Sequence, residues 1–203
     1  MSDPRTRPLR EEDAAADPLE QFRRWFAEAG EAMQFPEAVA LATATPDGRP
    51  SARMVLMKGA DERGFVFHTG YDSRKGRELE ANPRAALLFH WPALGRQVRV
   101  EGPVARTERE DSERYFRTRA PLSRISAVAS PQSEVVAGRA ELERRVEEAI
   151  AQHGDDPPLP ERWGGYRLTP EVWEFWQHRE NRLHDRLRYR RDGGAWLVER
   201  LAP

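Results

Sequence analysis

The sequence of 203 residues contains no cysteine, five histidines and only two lysines. Without cysteine the chain can form no disulfide bond, no thiolate nucleophile and no Cys-ligated metal site. The histidines are scattered and show none of the spacings that are typical of a metal site. No apolar run is long enough to cross a bilayer, and the N-terminus has no apolar signal region. We therefore expect a cytoplasmic protein that uses neither a membrane nor a metal ion.

Opposite charges are nearly balanced, since 33 Lys and Arg residues face 34 Asp and Glu residues for a formal net charge of −1. Such a chain has no global field that would steer it to nucleic acid. Nearly all of its cations are arginines, and the exceptions are Lys58 and Lys75. A compact ammonium is not interchangeable with a guanidinium, so both lysines are candidate ligand contacts, with chance as the alternative explanation.

The hydrophobic pattern predicts strands that are interrupted by helices without a regular β-α alternation. Residues 1–16 are polar and predict a mobile arm, and 17–203 predict a single domain that begins with an amphipathic helix at Asp17-Pro18. A hairpin is predicted, with one strand from Ala38 to Ala44 and the other from Ser51 to Lys58. The other predicted elements are strands at 64–69, 85–91, 97–106, 166–168, 172–177, 183–191 and 195–201, and helices at 74–81, 107–119 and 133–153. The chain contains no Gly-x-Gly-x-x-Gly motif, and its elements do not alternate as in a Rossmann or (β/α)8 fold. The pattern favours a mainly antiparallel β-barrel with peripheral helices.

Arg182, His184 and Arg186 recur at a spacing of two, which would place them on one face of an extended strand. Two guanidiniums beside an imidazole can bind a planar anionic ligand. Trp176 adds a flat apolar surface just upstream. The alternative is a solvated, arginine-rich strand face.

A second candidate anion site is Ser73-Arg74-Lys75, at a predicted helix N-terminus where free backbone N–H groups and two cations meet. An ordinary capped helix start is the alternative. Arg53 and Lys58 bound the strand Arg53-Met54-Val55-Leu56-Met57-Lys58. A regular strand would place these two cations on opposite faces, so a bulge or a ligand lying along the strand edge would be needed to bring them to one site.

Tyr115, Arg119 and Ser123 follow a spacing of four, with Ser123 past Pro121 and therefore expected in a loop. Together they could hold a phosphate, or they could form a surface triplet. Three uncharged hydrogen-bonding candidates are Gln97, Gln132 and Ser133. Separate anion-binding groups with aromatic surface suggest two phosphorylated planar molecules bound together. The pattern contains no Ser-His-Asp triad and no obvious acid–base carboxylate pair, so we expect the chemistry to come from a cofactor.

In this order and spacing, the motifs resemble the flavin-dependent pyridoxine/pyridoxamine 5′-phosphate oxidases from about Asp17 to the C-terminus. The motifs that carry the resemblance are Asp17-Pro18-Leu19, Arg53 to Lys58, Phe67-His68-Thr69, Ser73-Arg74-Lys75, Asn82-Pro83-Arg84, Arg96-Gln97-Val98, Gln132-Ser133, Trp163-Gly164-Gly165, Phe175-Trp176-Gln177, Arg182 to Arg186 and Arg200-Leu201-Ala202-Pro203.

The resemblance implies an FMN-binding split β-barrel, an obligate homodimer and FMN at the subunit interface. The implied FMN contacts are Arg53, Met54, Val55, Leu56, Met57, Lys58, His68, Thr69, Arg74, Lys75, Gln97, Gln132, Ser133, Trp176 and Arg186. The implied substrate contacts are Lys58, Tyr115, Arg119, Ser123, Arg182 and His184, of which Arg182 and His184 would hold the pyridine ring over the flavin. The implied reaction is hydride transfer from the substrate to FMN, with O2 as the final acceptor and hydrogen peroxide as product.

The sequence departs from the family pattern in three places that border the implied substrate pocket. After Ser123 the family usually continues Gln-x-Gly-x-Trp, whereas residues 124–128 of this chain read Arg-Ile-Ser-Ala-Val. The proline sits at Pro121, one place later than in the family. His178-Arg179 stands where the family commonly has two glycines. An oxidase of phenazine precursors and a non-catalytic flavin or pyridoxal-phosphate carrier therefore stay open as alternatives, whereas nucleic-acid binding through 179–191 merits little weight.

Overall fold

The fold is seen in a computed structural model, which describes residues 7–203. The ten strands of this part of the chain are β1 (Ala38–Ala44), β2 (Pro50–Leu56), β3 (Gly59–Asp61), β4 (Gly64–Gly70), β5 (Arg84–Trp91), β6 (Arg96–Arg106), β7 (Trp163–Leu168), β8 (Val172–Gln177), β9 (Asp185–Asp192) and β10 (Ala195–Arg200). The α-helices are α1 (Pro18–Ala32), α2 (Arg74–Ala81), α3 (Arg109–Thr118), α4 (Pro121–Ala129) and α5 (Arg139–His153).

All strand pairs are antiparallel, and one continuous path runs β10-β9-β8-β6-β5-β1-β2. Strand β6 also pairs with β7, which pairs with β4, so the sheet curls into a partial barrel. The change of partner on β6 occurs at Gly102, where a Cβ atom would collide with the carbonyl oxygen of Thr169. The predicted antiparallel barrel with helices around it is confirmed. Within residues 7–203, β2 lies at one end of the path and pairs on one side only, with β1, so its other edge is free.

Helix α1 packs against the barrel and supplies much of the core. Asp17 caps it by accepting a hydrogen bond from the Leu19 N–H at 2.9 Å, and Pro18 fits the first position, as predicted. Phe22 is 1% exposed and makes an edge contact with Phe65, at a ring-centroid distance of 5.0 Å. Helix α1 is thereby packed against β4, the strand that also carries His68 and Thr69.

The segment just before α1 differs from the expected mobile arm. Residues 1–6 lie outside the described residues, but Leu9 and Ala15 are buried. The Leu9 N–H donates to Asp185 Oδ2 at 3.1 Å, and Tyr189 Oη donates to the Ala15 carbonyl at 2.8 Å. Apolar burial and these long-range bonds hold residues 9–15 against the C-terminal strands, which a polar composition alone did not reveal.

Three predicted elements need correction. Pro121 begins helix α4 as well as ending the previous one, so Ser123 lies in a helical first turn instead of a loop. The helix that was predicted from Ser133 begins at Arg139, because Ser133 has a left-handed φ of 75°. Strand β9 begins at Asp185, since Arg182 also has a positive φ, of 63°. Arg182 and His184 therefore do not share a strand face with Arg186.

Candidate active site

A cavity of about 290 Å³ lies between the end of β2, strand β4 and helices α2 and α3. It is lined by Arg53, Met54, Val55, Leu56, Lys58, His68, Thr69, Lys75, Tyr115, Arg119, Gln132 and Trp163. Eleven of these were expected from the sequence, and Trp163 was not assigned a role. The lining includes four cationic side chains and no carboxylate. Its charge therefore favours an anionic ligand.

Arg53 is held in the cavity wall by a buried acid. Its guanidinium hydrogen-bonds Thr43 Oγ1 and the Ser51 hydroxyl and lies 3.3 Å from Glu78 Oε2. Glu78 is 5% exposed and also accepts bonds from both hydroxyls and, at 2.9 Å, from Arg74 Nε. Burial would raise the pKa of Glu78, but these donors outweigh it and lower the pKa to about 2. Glu78 thus stays ionised and fixes Arg53, a positioning role that the sequence pattern did not disclose.

Lys58 reaches the same cavity without a bulge. Strand β2 ends at Leu56, and the Met57 N–H then donates to Glu37 O at 3.0 Å. The next N–H, that of Lys58, donates to Val66 O on β4 at 2.7 Å. The chain therefore leaves β2 after Leu56 and pairs with β4 at Lys58. Since Arg53 and Lys58 are not on one regular strand, the alternation of strand faces does not keep them apart.

Lys75 is buried beside neutral oxygens. Its Nζ lies 3.1 Å from Thr69 Oγ1, 3.4 Å from Ser73 Oγ and 3.4 Å from Gln132 Oε1. Across the described residues, no carboxylate oxygen comes within 4.0 Å of this ammonium. Burial and the nearby Arg53 lower the pKa of Lys75. A buried cation with only neutral partners is well placed to meet a phosphate.

The opposite wall is a stack of rings. His68 lies 4.0 Å from Tyr115 and 5.3 Å from Trp163 between ring centroids, with nearly parallel planes. The Arg119 guanidinium lies 4.9 Å from the Trp163 centroid. Gly165 opposes His68 across β4 and β7, and a side chain there would press on the imidazole at 3.1 Å from Nε2. The Trp163-Gly164-Gly165 motif thus supplies both a flat surface and the space for His68.

Several buried polar atoms in this wall have no hydrogen-bond partner among the described residues. Both His68 ring nitrogens and one Arg119 guanidinium nitrogen are buried without a hydrogen bond. Burial lowers the pKa of His68 to about 4, helped by Arg119 and Lys58, and burial also lowers the pKa of Arg119. Orphaned donors of this kind are expected where a ligand supplies the missing acceptors. The residues present therefore fit a planar phosphorylated ligand.

We expect the buried His68 to make the flavin-free protein sensitive to acid. The folded protein lowers the pKa of His68 to about 4, whereas in the unfolded chain His68 takes up a proton near its ordinary pKa of 6.5. Stability should therefore fall as the pH decreases between these two values, by up to about 3 kcal/mol, and then level off. Urea unfolding of His68→Phe should show a smaller fall, whereas the matched variant His153→Gln should behave as wild type. An identical acid slope in His68→Phe would contradict this assignment.

Five of the other expected site residues belong to a second group that does not line the cavity. Gln97, Trp176 and Arg186 lie directly opposite one another on β6, β8 and β9, so their side chains share one sheet face. Arg186 Nε donates to Glu174 at 2.7 Å, and its Nη1 donates to the Ala202 carbonyl at 2.7 Å. The His184 ring lies 4.5 Å from Trp176 between centroids. Neither these residues nor Arg182 line the cavity.

Four other expected contacts also do not line the cavity. Arg74 bonds to Glu78 from an exposed position, and Met57 is buried in the hydrophobic core. Ser133 follows Gln132 in a turn, and Ser123 lies in the first turn of α4. Their assignments as ligand contacts remain predictions.

The curled antiparallel sheet and its cation-lined cavity define a split-barrel protein built to bind an anionic ligand. Residues 26–153 match the family described as pyridoxamine 5′-phosphate oxidase. Residues 163–203 match the pyridoxine 5′-phosphate oxidase C-terminal dimerisation region.

The similar proteins agree with this. A pyridoxine/pyridoxamine 5′-phosphate oxidase of Rubrobacter xylanophilus is 58% identical, over 96% of this chain and 91% of its own length. One from Burkholderia multivorans is 57% identical, over 96% and 93%. Among solved structures, PhzG from Burkholderia lata 383, in complex with tetrahydrophenazine-1-carboxylic acid, is 37% identical, with a TM-score of 0.91 over 98% of this chain and 99% of that one. An FMN-binding protein of Nostoc punctiforme shares the fold, with a TM-score of 0.73 at 18% identity over 92% and 98% of the two chains.

This chain belongs to the pyridoxamine 5′-phosphate oxidase family. Membership indicates a flavin cofactor and an oxidase activity on phosphorylated pyridoxine compounds, and the matched C-terminal region supports a homodimer. Among residues 7–203, no helix is long and apolar enough to cross a membrane. The same residues contain no cluster of three or more potential metal ligands.

Proposed function

We propose that this protein converts pyridoxine 5′-phosphate or pyridoxamine 5′-phosphate to pyridoxal 5′-phosphate with FMN as its cofactor, in the cytoplasm. The observation that carries this is the cavity of four cations and no carboxylate, with buried unpartnered donors on His68 and Arg119. When bound, FMN supplies a two-electron acceptor for the hydride of the substrate C4′ carbon, and O2 restores it with release of hydrogen peroxide. With the amine substrate, water hydrolyses the resulting imine and ammonia leaves.

The residues around the cavity would divide the two phosphates between them. Arg53 and Lys75 lie on the side of α2, and Gln132 links Thr69 to Lys75, so we assign this side to FMN. Lys58, Tyr115, Arg119 and Ser123 would hold the substrate phosphate. The free edge of β2, from Arg53 to Leu56, would run beside the flavin ring with its backbone groups available for hydrogen bonds.

The second residue group would complete the site from the partner subunit. Strand β2 is separated from β8 by β1, β5 and β6, so Trp176, Arg182, His184 and Arg186 are carried by a distant part of the sheet. Met54 and Leu56 are 63% and 44% exposed on β2, which is typical of a surface that another chain covers. A homodimer would bring the second group of one subunit to the cavity of the other, where Arg182 and His184 would position the pyridine ring.

An anaerobic titration tests the proposed reaction. The protein is purified with FMN, pyridoxine 5′-phosphate is added without oxygen, and the visible flavin band is followed. Bleaching that air reverses is the expected result. If bound flavin stays oxidised with both pyridoxine 5′-phosphate and pyridoxamine 5′-phosphate, the proposed reaction is wrong and a different substrate or a carrier role is indicated. A chain that binds no flavin would also overturn the proposal.

A second candidate is oxidation of a tricyclic phenazine precursor. It is favoured by the similarity to PhzG, whose crystal structure holds tetrahydrophenazine-1-carboxylic acid. Residues 124–128 and His178-Arg179 depart from the oxidase pattern near the implied pocket. The same titration with a dihydrophenazine carboxylic acid separates the two substrates, because that compound lacks the phosphate for which Arg119 is assigned.

Mixed dimers test whether the two groups act across subunits. Lys75→Met chains and Arg182→Ala chains are each expected to be inactive as homodimers. If each site takes Lys75 from one subunit and Arg182 from the other, a heterodimer keeps one intact site of two, and random mixing should restore about a quarter of wild-type activity. The two variants are unfolded, mixed and refolded together, with each variant refolded alone as control, and the activity is measured. No recovery in verified heterodimers would place both residues in one chain's site.

A further inference from the structure

His184 is held by the short segment that precedes it. The backbone N–H of Arg179 donates to His184 Nδ1 at 3.1 Å. The His178 ring lies 5.3 Å from the His184 ring, and Trp176 covers it at 4.5 Å. Asn181 and Arg182, between the two bonded residues, both have left-handed φ values, of 57° and 63°. The segment includes His178-Arg179, one of the places where the chain departs from the family pattern.

The hydrogen bond decides which nitrogen carries the proton. Nδ1 accepts a bond from a backbone N–H, so it must be unprotonated. Neutral His184 therefore carries its proton on Nε2, and forming the imidazolium would break the Arg179 bond. The free Nε2–H is a hydrogen-bond donor.

The charges around the ring act in the same direction. Burial, His178 and Arg182 all lower the pKa of His184. The nearest acid on the adjoining strand, Asp185, is engaged by the Leu9 N–H and by Arg200 at 2.8 Å, and it lies 3.6 Å from Arg179 Nε. Glu174 on β8 is likewise bonded to Arg99 and Arg186. No described carboxylate therefore pairs with the imidazole.

We propose that His178 and the backbone of Arg179 are positioning groups that keep His184 as the neutral tautomer with its proton on Nε2, so that it meets the substrate as a hydrogen-bond donor. This rests on the proposed function for the identity of the substrate and for the homodimer that brings His184 to the cavity of the other subunit. An acceptor on the pyridine ring, such as its phenolate oxygen, is the matching group. His184 in this state donates a hydrogen bond and transfers no proton.

Nitrogen NMR of flavin-free protein with labelled histidine tests the tautomer without any turnover. The His184 signals are assigned by comparison with His184→Gln. One protonated and one unprotonated nitrogen are expected, with Nδ1 the unprotonated one. Arg179→Ala retains the backbone donor and should keep this pattern, whereas Arg179→Pro removes the donor and should give a tautomer mixture. A protonated Nδ1 in the wild type would overturn the proposal.

The pH profile tests His178. His178→Gln removes a neighbouring group that can become cationic, so the His184 midpoint in the NMR titration should move to higher pH. The acid limb of kcat/KM should move in the same direction, lowering activity at acidic pH roughly twofold or more. The matched control His153→Gln should change neither. If neither the His184 titration midpoint nor the acid limb of kcat/KM moved in His178→Gln, His178 would not have this role. A correct tautomer in a protein that fails to oxidise B6 phosphates would overturn the proposed function alone.

Discussion

Replacing Lys75 by methionine should yield a protein that folds but no longer retains flavin. Lys75 Nζ is buried beside neutral oxygens of Thr69, Ser73 and Gln132, and it has no carboxylate partner in the described chain. Loss of one charge-assisted phosphate contact costs about 2–3 kcal/mol, which corresponds to about 30- to 150-fold in Kd. Fluorescence titration of the flavin-free protein with FMN measures the change.

The same substitution should not weaken the flavin-free fold. Burial next to Arg53 lowers the pKa of Lys75, which means that the ammonium is an unfavourable group until an anion binds. Methionine fills a similar volume, and Gln132 Oε1 still accepts bonds from Thr69 and from the Gly70 N–H. The flavin-free variant should therefore melt at the same temperature as wild type or higher.

Arg77 provides the matched control for Lys75. It lies on the same helix, is exposed and pairs with Glu134 at 2.7 Å, away from the cavity. Arg77→Met should bind FMN as wild type does. Wild-type FMN affinity in Lys75→Met would remove Lys75 from the phosphate site, whereas an equal loss of affinity in both variants would point to helix α2 as a whole.

The sequence predicted strands such as β1, β5 and β6 well because buried and more exposed residues alternate along them. It missed boundaries where a single backbone conformation decides them, as at Ser133 and Arg182, whose positive φ values no side-chain pattern announces. It also missed the packing of Leu9 and Ala15, because two short apolar residues in a polar segment give no periodic signal.

The candidate site was only partly accessible to pattern reasoning. The residues of one wall could be found because cations stand out on β2, two residues after it and in the first turn of α2. The supporting acid Glu78 looked like an ordinary helical glutamate, and its burial depends on contacts with Thr43 and Ser51 from distant strands. The separation of Trp176 and Arg186 from the cavity follows from strand order, which depends on long-range pairing that periodicity cannot reveal.

Replacing Arg119 by alanine should raise KM for pyridoxine 5′-phosphate by roughly tenfold or more while FMN stays bound. One guanidinium nitrogen of Arg119 is buried without a partner, and the group lies 4.9 Å from the Trp163 ring at the cavity wall. Because its counter-charge would be the substrate phosphate, the effect should vanish with unphosphorylated pyridoxine, which already lacks that contact. Steady-state kinetics with both substrates measures the difference.

Arg117 separates this role from a general change in charge. It lies two residues earlier on α3, is exposed and pairs with Glu113 at 2.5 Å. Arg117→Ala should leave KM for both substrates unchanged. Arg119→Met should retain the apolar contact with Trp163 but lose the charged contact with the substrate phosphate. If Arg119→Ala raised KM equally for the phosphorylated and unphosphorylated forms, the guanidinium would support the aromatic wall and would not bind phosphate. If KM were unchanged for both forms, Arg119 would not belong to the substrate site.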